Sequence, residues 1–363
     1  MKAIVCTRYG PPEKLRLEDV PKPAPGNGQV LVRVHAAAVN FSTVALVTGR
    51  PFAVRLMAKA KSRPRPRYRI PGAEVAGTVE AVGPGVRQFK PGDEVFGDLS
   101  LHGRSGFAEY AVGPECVFAA KPANASFEQA AAIAESGLVA LQALRDKGRV
   151  QPGHEVLVSG ASGGIGTFAV QVAKSFGAEV TAVCGPGNLD MVRSLGADHV
   201  VDHTRQDFTR GEKRYDLVLA IRGYHPIRSY KRILKATGTY VCAGGGLRQF
   251  FEVMSLGPRL SEVGGRQLLG LSLRPSQADM ITMKDLVEAG KVTPVIDGHY
   301  TLADTAKALR HYSTAHARGN VVISVWREQG ERCVSLFPDD DNASRQGDRY
   351  CGGCNDTGER YGR

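Results

Sequence analysis

Residues 153–174 read GHEVLVSGASGGIGTFAVQVAK. The apolar run EVLVS passes directly into Ala161-Ser162-Gly163-Gly164-Ile165-Gly166, and a helical stretch follows and stops at Gly177. Glycine lets the backbone approach a pyrophosphate closely, and the free N–H groups at the start of the helix face its charge. A glycine turn alone says little. One with a strand before it and a helix after it has the context of a dinucleotide site. The competing reading is a turn that only packs helix on strand. Either way the segment demands a strand–turn–helix unit. The same alternation continues through EVTAVC, HVVD, YDLVLAI and TYVCAG, with helices over Gly164–Phe176 and Leu189–Leu195. Strands alternating with helices predict right-handed crossovers and a parallel sheet.

The flanks read differently. Residues 1–122 carry short β patterns, such as Gln29–His35, Thr78–Val82 and Glu94–Phe96, separated by Pro-Gly turns. They predict a compact β domain. Phe127 to Lys147 predicts one helix, with Ser126 as N-cap and Gly148 closing it. Residues 277–290 predict another helix. KVTPVIDGHY follows, then the amphipathic ADTAKALRHYSTAHA, and NVVISV is the last strand. From Arg327 the apolar periodicity stops, and a disordered tail is expected over 327–363.

Composition bounds the function. The 363 residues suffice for two domains, and 42% hydrophobic content with 43 glycines suits an α/β protein. No apolar run reaches the roughly 18 residues of a membrane span, and MKAIVCTRYG reads as a first strand, so a cytoplasmic protein is expected. Seven cysteines at irregular spacing argue against a disulfide framework. Cys351 and Cys354 form one CxxC pair without a second pair, either a weak zinc signal or part of a solvated tail. The formal charge is +11, and residues 55–70 hold seven Lys or Arg and no acid. That run reads either as a solvated loop or as an attractor of anions, including acidic lipid headgroups at a membrane surface. Without a nucleic-acid reading module, no nucleic-acid partner is expected.

The stretch 153–174 resembles the signature of the quinone oxidoreductase/zeta-crystallin group, a zinc-less branch of the medium-chain dehydrogenase/reductase superfamily. Gly153, Leu157, Ala161, Ser162, Gly163, Gly164, Gly166, Gln171 and Lys174 fall where that signature expects them. HAAAVN at 35–40, RSLGADHVVD at 193–202 and EAGKVTPVID at 288–297 resemble the same group. The resemblance implies an α/β protein built from a GroES-like β-rich catalytic domain, residues 1–124 and 272–326, interrupted by a Rossmann doubly wound parallel-sheet domain, residues 125–271. It places the active site between them and suggests a homodimer.

The resemblance also assigns the cofactor. Ser162, Gly163, Gly164, Ile165 and Gly166 would hold the pyrophosphate, while Ala243, Gly244, Gly245 and Leu271 would border the nicotinamide. The second strand of the alternating region ends at Cys184 rather than at the acid that pairs with NAD ribose hydroxyls, so NADP(H) is favoured over NAD(H). Relatives follow that cysteine with a serine and a nearby Arg or Lys; here the loop is Gly185-Pro186-Gly187-Asn188, with His203 as a partial replacement. Asn320 stands where relatives carry a lysine.

PGAEVAGTVEAVGPGV at 71–86 keeps the spacing of the zinc alcohol dehydrogenase signature, in which a histidine follows the first glycine and binds zinc. Here that residue is Ala73, which offers no lone pair. NFSTV at 40–44 lacks the first cysteine ligand, and residues 90–113 lack a structural cysteine lobe. No zinc is expected, which points to an acceptor already activated: a quinone or an α,β-unsaturated carbonyl. Asn40 reads either as a polar contact to the developing oxyanion or as a turn cap. Glu74 reads either as a structural acid or as a proton relay. A reductase is the leading expectation. A nicotinamide-binding sensor or adaptor with little turnover, reaching a membrane through residues 55–70, is the alternative.

Overall fold

The computed structural model describes residues 1–50, 69–222, 225–244, 247–261, 265–314 and 318–326. Gly245, most of the basic run and the 327–363 tail with its CxxC pair lie outside the described residues. Residues 1–327 form one compact unit.

The strands in chain order are β1 (Lys2–Val5), β2 (Arg16–Asp19), β3 (Gln29–Val39), β4 (Glu74–Val82), β5 (Glu94–Asp98), β6 (Tyr110–Pro114), β7 (Phe118–Ala120), β8 (Glu155–Ser159), β9 (Glu179–Cys184), β10 (His199–Asp202), β11 (Tyr215–Ala220), β12 (Leu234–Cys242), β13 (Gln267–Gly270), β14 (Ile296–Thr301) and β15 (Asn320–Ser324). β8 to β13 form a sheet in the order β10-β9-β8-β11-β12-β13, and every pairing in it is parallel. Helices cover both of its faces, so β8 and β11 can be almost wholly apolar. The order reverses between β8 and β11, and the crevice past their carboxyl ends is where a doubly wound sheet binds its ligand.

The other large sheet runs β14-β15-β3-β4-β5-β7, with β6 also paired to β3. Its core holds Val30, Val32, Phe107 and Phe118, all fully buried. β15 joins the segment that follows the parallel sheet to one that precedes it: Val321 to Ser324 pair antiparallel with Val39 to Ala36. The last segment therefore returns to the first sheet after the chain has left it for the parallel one.

The structure departs from expectation in the helix expected over Phe127–Lys147. Ser126 caps it as expected, with a reciprocal capping box to Gln129. The helix is not uniform: α-helical Phe127–Ala132 and Leu138–Gln142 alternate with π turns at Ile133–Gly137 and Ala143–Lys147. A π turn carries an extra residue, so it rotates the following face by about 100°. The first π turn contains Glu135 and Ser136. The helix Leu247–Ser261 and the short strand β13 carry no clear signal in the sequence. The helix contains Pro258, and β13 spans only four residues.

Candidate active site

The glycine turn forms as the sequence predicts, and each glycine has a different task. Gly160, at φ 84°, turns the chain out of β8. A Cβ on Gly166 would lie 2.2 Å from the Gly160 carbonyl oxygen, so helix and turn touch only because no side chain intervenes. A Cβ on Gly164 would lie 2.5 Å from Asn320 Oδ1. A Cβ on Gly163 would meet only the Gly160 oxygen, at 3.9 Å. Gly163, the N-cap of the helix Gly164–Ser175, therefore faces open space at the end of a twelve-residue helix. That combination suits a pyrophosphate.

The other carboxyl ends gather at the same edge. Ala243 N donates to Ala220 O and Leu271 N to Cys242 O, which sets both residues at the ends of β11, β12 and β13. Ile165, Ala243 and Leu271 are partly buried against the same core. Gly244 packs too close to the Ile221 carbonyl to carry a side chain, its Cβ falling 2.6 Å from that oxygen. At the end of β9, burial, with the Asp202 charge adding to it, pushes the Cys184 thiol up to about 11, so it stays neutral. Asn188 Oδ1 is buried and has no hydrogen-bond partner among the described residues. An orphaned amide oxygen at this place fits a ribose hydroxyl donor. Asn320 lies under the turn rather than on its open face. It is 3% exposed, accepts from Ser136 Oγ at 2.9 Å and is bound to Val295 O through its own amides.

Ala73 is fully buried beside a polar pocket that the sequence did not reveal. Asn40 caps the helix Phe41–Thr48: its Oδ1 accepts from Thr43 N at 2.7 Å. Its Nδ2 donates to both Glu74 Oε1 and Glu135 Oε2. Both amide hydrogens are thus taken by carboxyl groups. The π turn sets Glu135 opposite Glu74. Glu74 is 1% exposed, while Glu135 is half-buried. Burial lifts the Glu74 carboxyl well above the usual carboxylate range, and the Glu135 and Asp98 charges raise it further against the opposing Arg104. Burial raises Glu135 as well, with Asp98 adding and the Glu74 hydrogen bond and Arg104 opposing. Two carboxyls bridged by one amide and largely shielded from water cannot both ionise cheaply, so the pair holds a proton above the pH at which an ordinary carboxylate loses it. Burial and the same two acids keep the Tyr312 phenol protonated.

Those residues do not fit a catalytic zinc. The position of the signature histidine is a methyl group, and the surrounding donors are an amide and two mutually bonded carboxyls. Among the described residues no group of three His, Cys, Asp or Glu could hold a metal ion. His35 is occupied elsewhere, stacked on Phe127 at 4.1 Å and 3.1 Å from Thr78 Oγ1.

Comparison with known proteins places this arrangement. Residues 26–142 match the family described as "Alcohol dehydrogenase GroES-like domain", and residues 195–323 match "Zinc-binding dehydrogenase". A chloroplast envelope quinone oxidoreductase homolog of Arabidopsis thaliana is 33% identical over 315 residues, covering 84% of this chain and 92% of the relative. The chain belongs to the quinone oxidoreductase family of the medium-chain dehydrogenases/reductases. It is an oxidoreductase with a GroES-like domain and a Rossmann-like parallel sheet. A chloroplastic NADPH-dependent alkenal/one oxidoreductase of Arabidopsis thaliana is 32% identical, covering 89% of this chain and 79% of the relative. The solved quinone oxidoreductase of Coxiella burnetii superposes with a TM-score of 0.78 at 28% identity, covering 90% of this chain and 99% of that one. Membership of this family supports a nicotinamide cofactor. Among the described residues no helix is long and apolar enough to cross a membrane.

Proposed function

We propose that this chain is a zinc-independent, NADPH-dependent reductase of quinones or α,β-unsaturated carbonyl compounds. The observation that carries the reading is the pocket beside Ala73: where the zinc signature expects a metal, the chain buries two carboxyls that share a proton. A simple ketone needs a strong Lewis acid to accept hydride; a quinone or enone does not. The nicotinamide, when bound, supplies the hydride. The chain's residues position it. Gly163 and the N–H groups behind it hold the pyrophosphate, and Ala243, Gly244 and Leu271 border the reactive ring. The proton that completes reduction comes from Glu135, the more accessible member of the pair, which then regains one from solvent. Asn40 acts as a positioning residue that fixes both carboxyls, not as the oxyanion contact.

The reading takes residues 1–124 and 272–326 as the catalytic domain and 125–271 as the cofactor domain. It is supported by the quinone and enone reductases to which the chain is similar. The test follows loss of the near-ultraviolet absorbance of NADPH with a panel of quinones, enones and simple ketones, with and without a zinc chelator. Turnover of quinones or enones, unaffected by chelator, is expected. Turnover confined to simple alcohols and ketones, or abolished by chelation, overturns the reading. Nucleotide binding with no turnover would instead favour a nicotinamide sensor.

A further inference from the structure

The loop after β9 is the usual place to tell NADP from NAD, yet Gly185-Pro186-Gly187-Asn188 contains no cation. The structure brings a guanidinium and an imidazole to it from elsewhere. A Cβ built on Gly187 would lie 3.5 Å from Arg318 Nη2, and one built on Gly185 would lie 3.7 Å from His203 Nε2. The guanidinium and the imidazole thus stand over two bare glycines, in the room that side chains would otherwise fill.

Arg318 is held there by its neighbours. Gly319 N donates to Ser162 O at 2.8 Å, and Gly319 pairs with Gly163 as a parallel bridge. Asn320 is bound to Ser136 and Val295. The root of Arg318 is therefore one residue from the pyrophosphate turn, while its head reaches the end of β9, which is the span between pyrophosphate and adenosine ribose. Among the described residues no carboxylate ion-pairs with Arg318. The acid beside Cys184 in the sheet, Asp202, is occupied by Thr204, through N–H at 2.9 Å and Oγ1 at 2.7 Å, and by Arg205 at 3.6 Å. Asp190 is taken by Arg193 at 2.7 Å.

We propose that Arg318, assisted by His203, is the seat of the cofactor's ribose 2′-phosphate, so that nucleotide specificity comes from the segment entering β15 and not from the loop after β9. The proposal rests on the NADPH reading above. A guanidinium matches phosphate oxygens with two parallel N–H donors and stays charged at any working pH. It gains nothing comparable from the ribose hydroxyl of NADH.

The test measures dissociation constants by calorimetry for NADPH, NADH, 2′,5′-ADP and 5′-AMP, with wild type and Arg318→Met. Unfolding curves check that the variant folds. Arg318→Met should weaken NADPH and 2′,5′-ADP by roughly 10- to 100-fold and leave NADH and 5′-AMP within about twofold. Arg318→Lys should recover part of the loss, and wild-type affinity for 2′,5′-ADP should fall more steeply with salt than that of the variant. His203→Gln should give a smaller loss of the same selectivity. Equal weakening of both nucleotide classes, or of neither, overturns the proposal and leaves the NADPH reading intact. Wild type that binds 2′,5′-ADP no more tightly than 5′-AMP overturns both.

Discussion

The glycine turn and the carboxyl pocket are two answers to the same demand, to hold charge in a partly buried place, and they are built in opposite ways. The turn is local. Its residues are contiguous, its donors are backbone, and its specificity is the absence of side chains at Gly163, Gly164 and Gly166. The pocket is assembled from distant pieces: Asn40 and Glu135 are 95 residues apart in sequence, and a π turn completes the meeting. A backbone device tolerates no added atom where it packs, as at Gly164 and Gly166. A side-chain device tolerates substitution that preserves its hydrogen bonds and protons.

That contrast is sharpest at the two glycines that differ in what lies beyond them. Gly163→Asp adds a side chain into open space and a negative charge at the pyrophosphate. Folding should be unchanged, and nucleotide affinity should fall by about 3 kcal/mol, roughly 100-fold, as like charges meet. Retained affinity in calorimetry would refute the assignment of the turn. Gly166→Ala does the reverse. Its Cβ would sit 2.2 Å from a carbonyl oxygen, so helix and turn must part, and stability should drop by about 1 to 3 kcal/mol before any ligand is added. If both variants behaved alike, the division into a ligand face and a packing face would be wrong.

In the pocket, Asn40→Asp keeps the helix cap but replaces the bridging donor with a third acid. Denaturant unfolding at neutral pH should show a loss of about 1 to 3 kcal/mol, since two buried acceptors lose their donor and face a like charge. Lowering the pH should restore much of it. No loss at any pH would mean that Asn40 matters only as a cap, since the variant keeps that role. Glu135→Gln provides the catalytic counterpart: nucleotide affinity should hold while turnover of enones falls about 10²-fold or more, as expected for a lost proton donor.

The two regions also differ in how far the sequence displayed them. Strand, turn and helix are contiguous in 153–174, so the dinucleotide site is legible from pattern alone, and Ala73 is legible because the glycines around it keep their spacing. Glu135 is not. It sits in AAAIAESGLVAL, which reads as an ordinary helix; its one signal is a lone acid inside an apolar run. Which way that acid points depends on a π turn that periodicity does not show. Arg318 escapes for a similar reason, since its relation to Gly187 exists only after β15 returns beside β3. Asn40 reads from its place at a strand end and its likeness to relatives as an oxyanion contact or a turn cap; it caps the helix Phe41–Thr48, and both of its amide hydrogens are spent on carboxyls.

The smallest effect tests the proton itself. Glu74 in the folded state titrates well above an ordinary glutamate, chiefly through burial and then through Glu135 and Asp98, while Arg104 opposes. A carboxyl raised on folding adds stability that is fully present below its unfolded pKa of about 4.3 and is lost as pH rises through the native value. Wild type should therefore weaken as pH rises by about 1.4 kcal/mol for each pH unit by which the native titration exceeds the unfolded one, over the window in which the unfolded chain has lost the proton and the folded pair still holds it. Glu74→Gln keeps an oxygen to accept from Asn40 and holds hydrogens where the acid held its proton. It should match wild type at acid pH, below the ordinary carboxylate range, and exceed it at alkaline pH. Parallel stability curves for the two proteins would show that the pair carries no shared proton. The proton-donor role given to Glu135 would then fall with it, while the glycine turn, which owes nothing to titration, would bind its nucleotide as before.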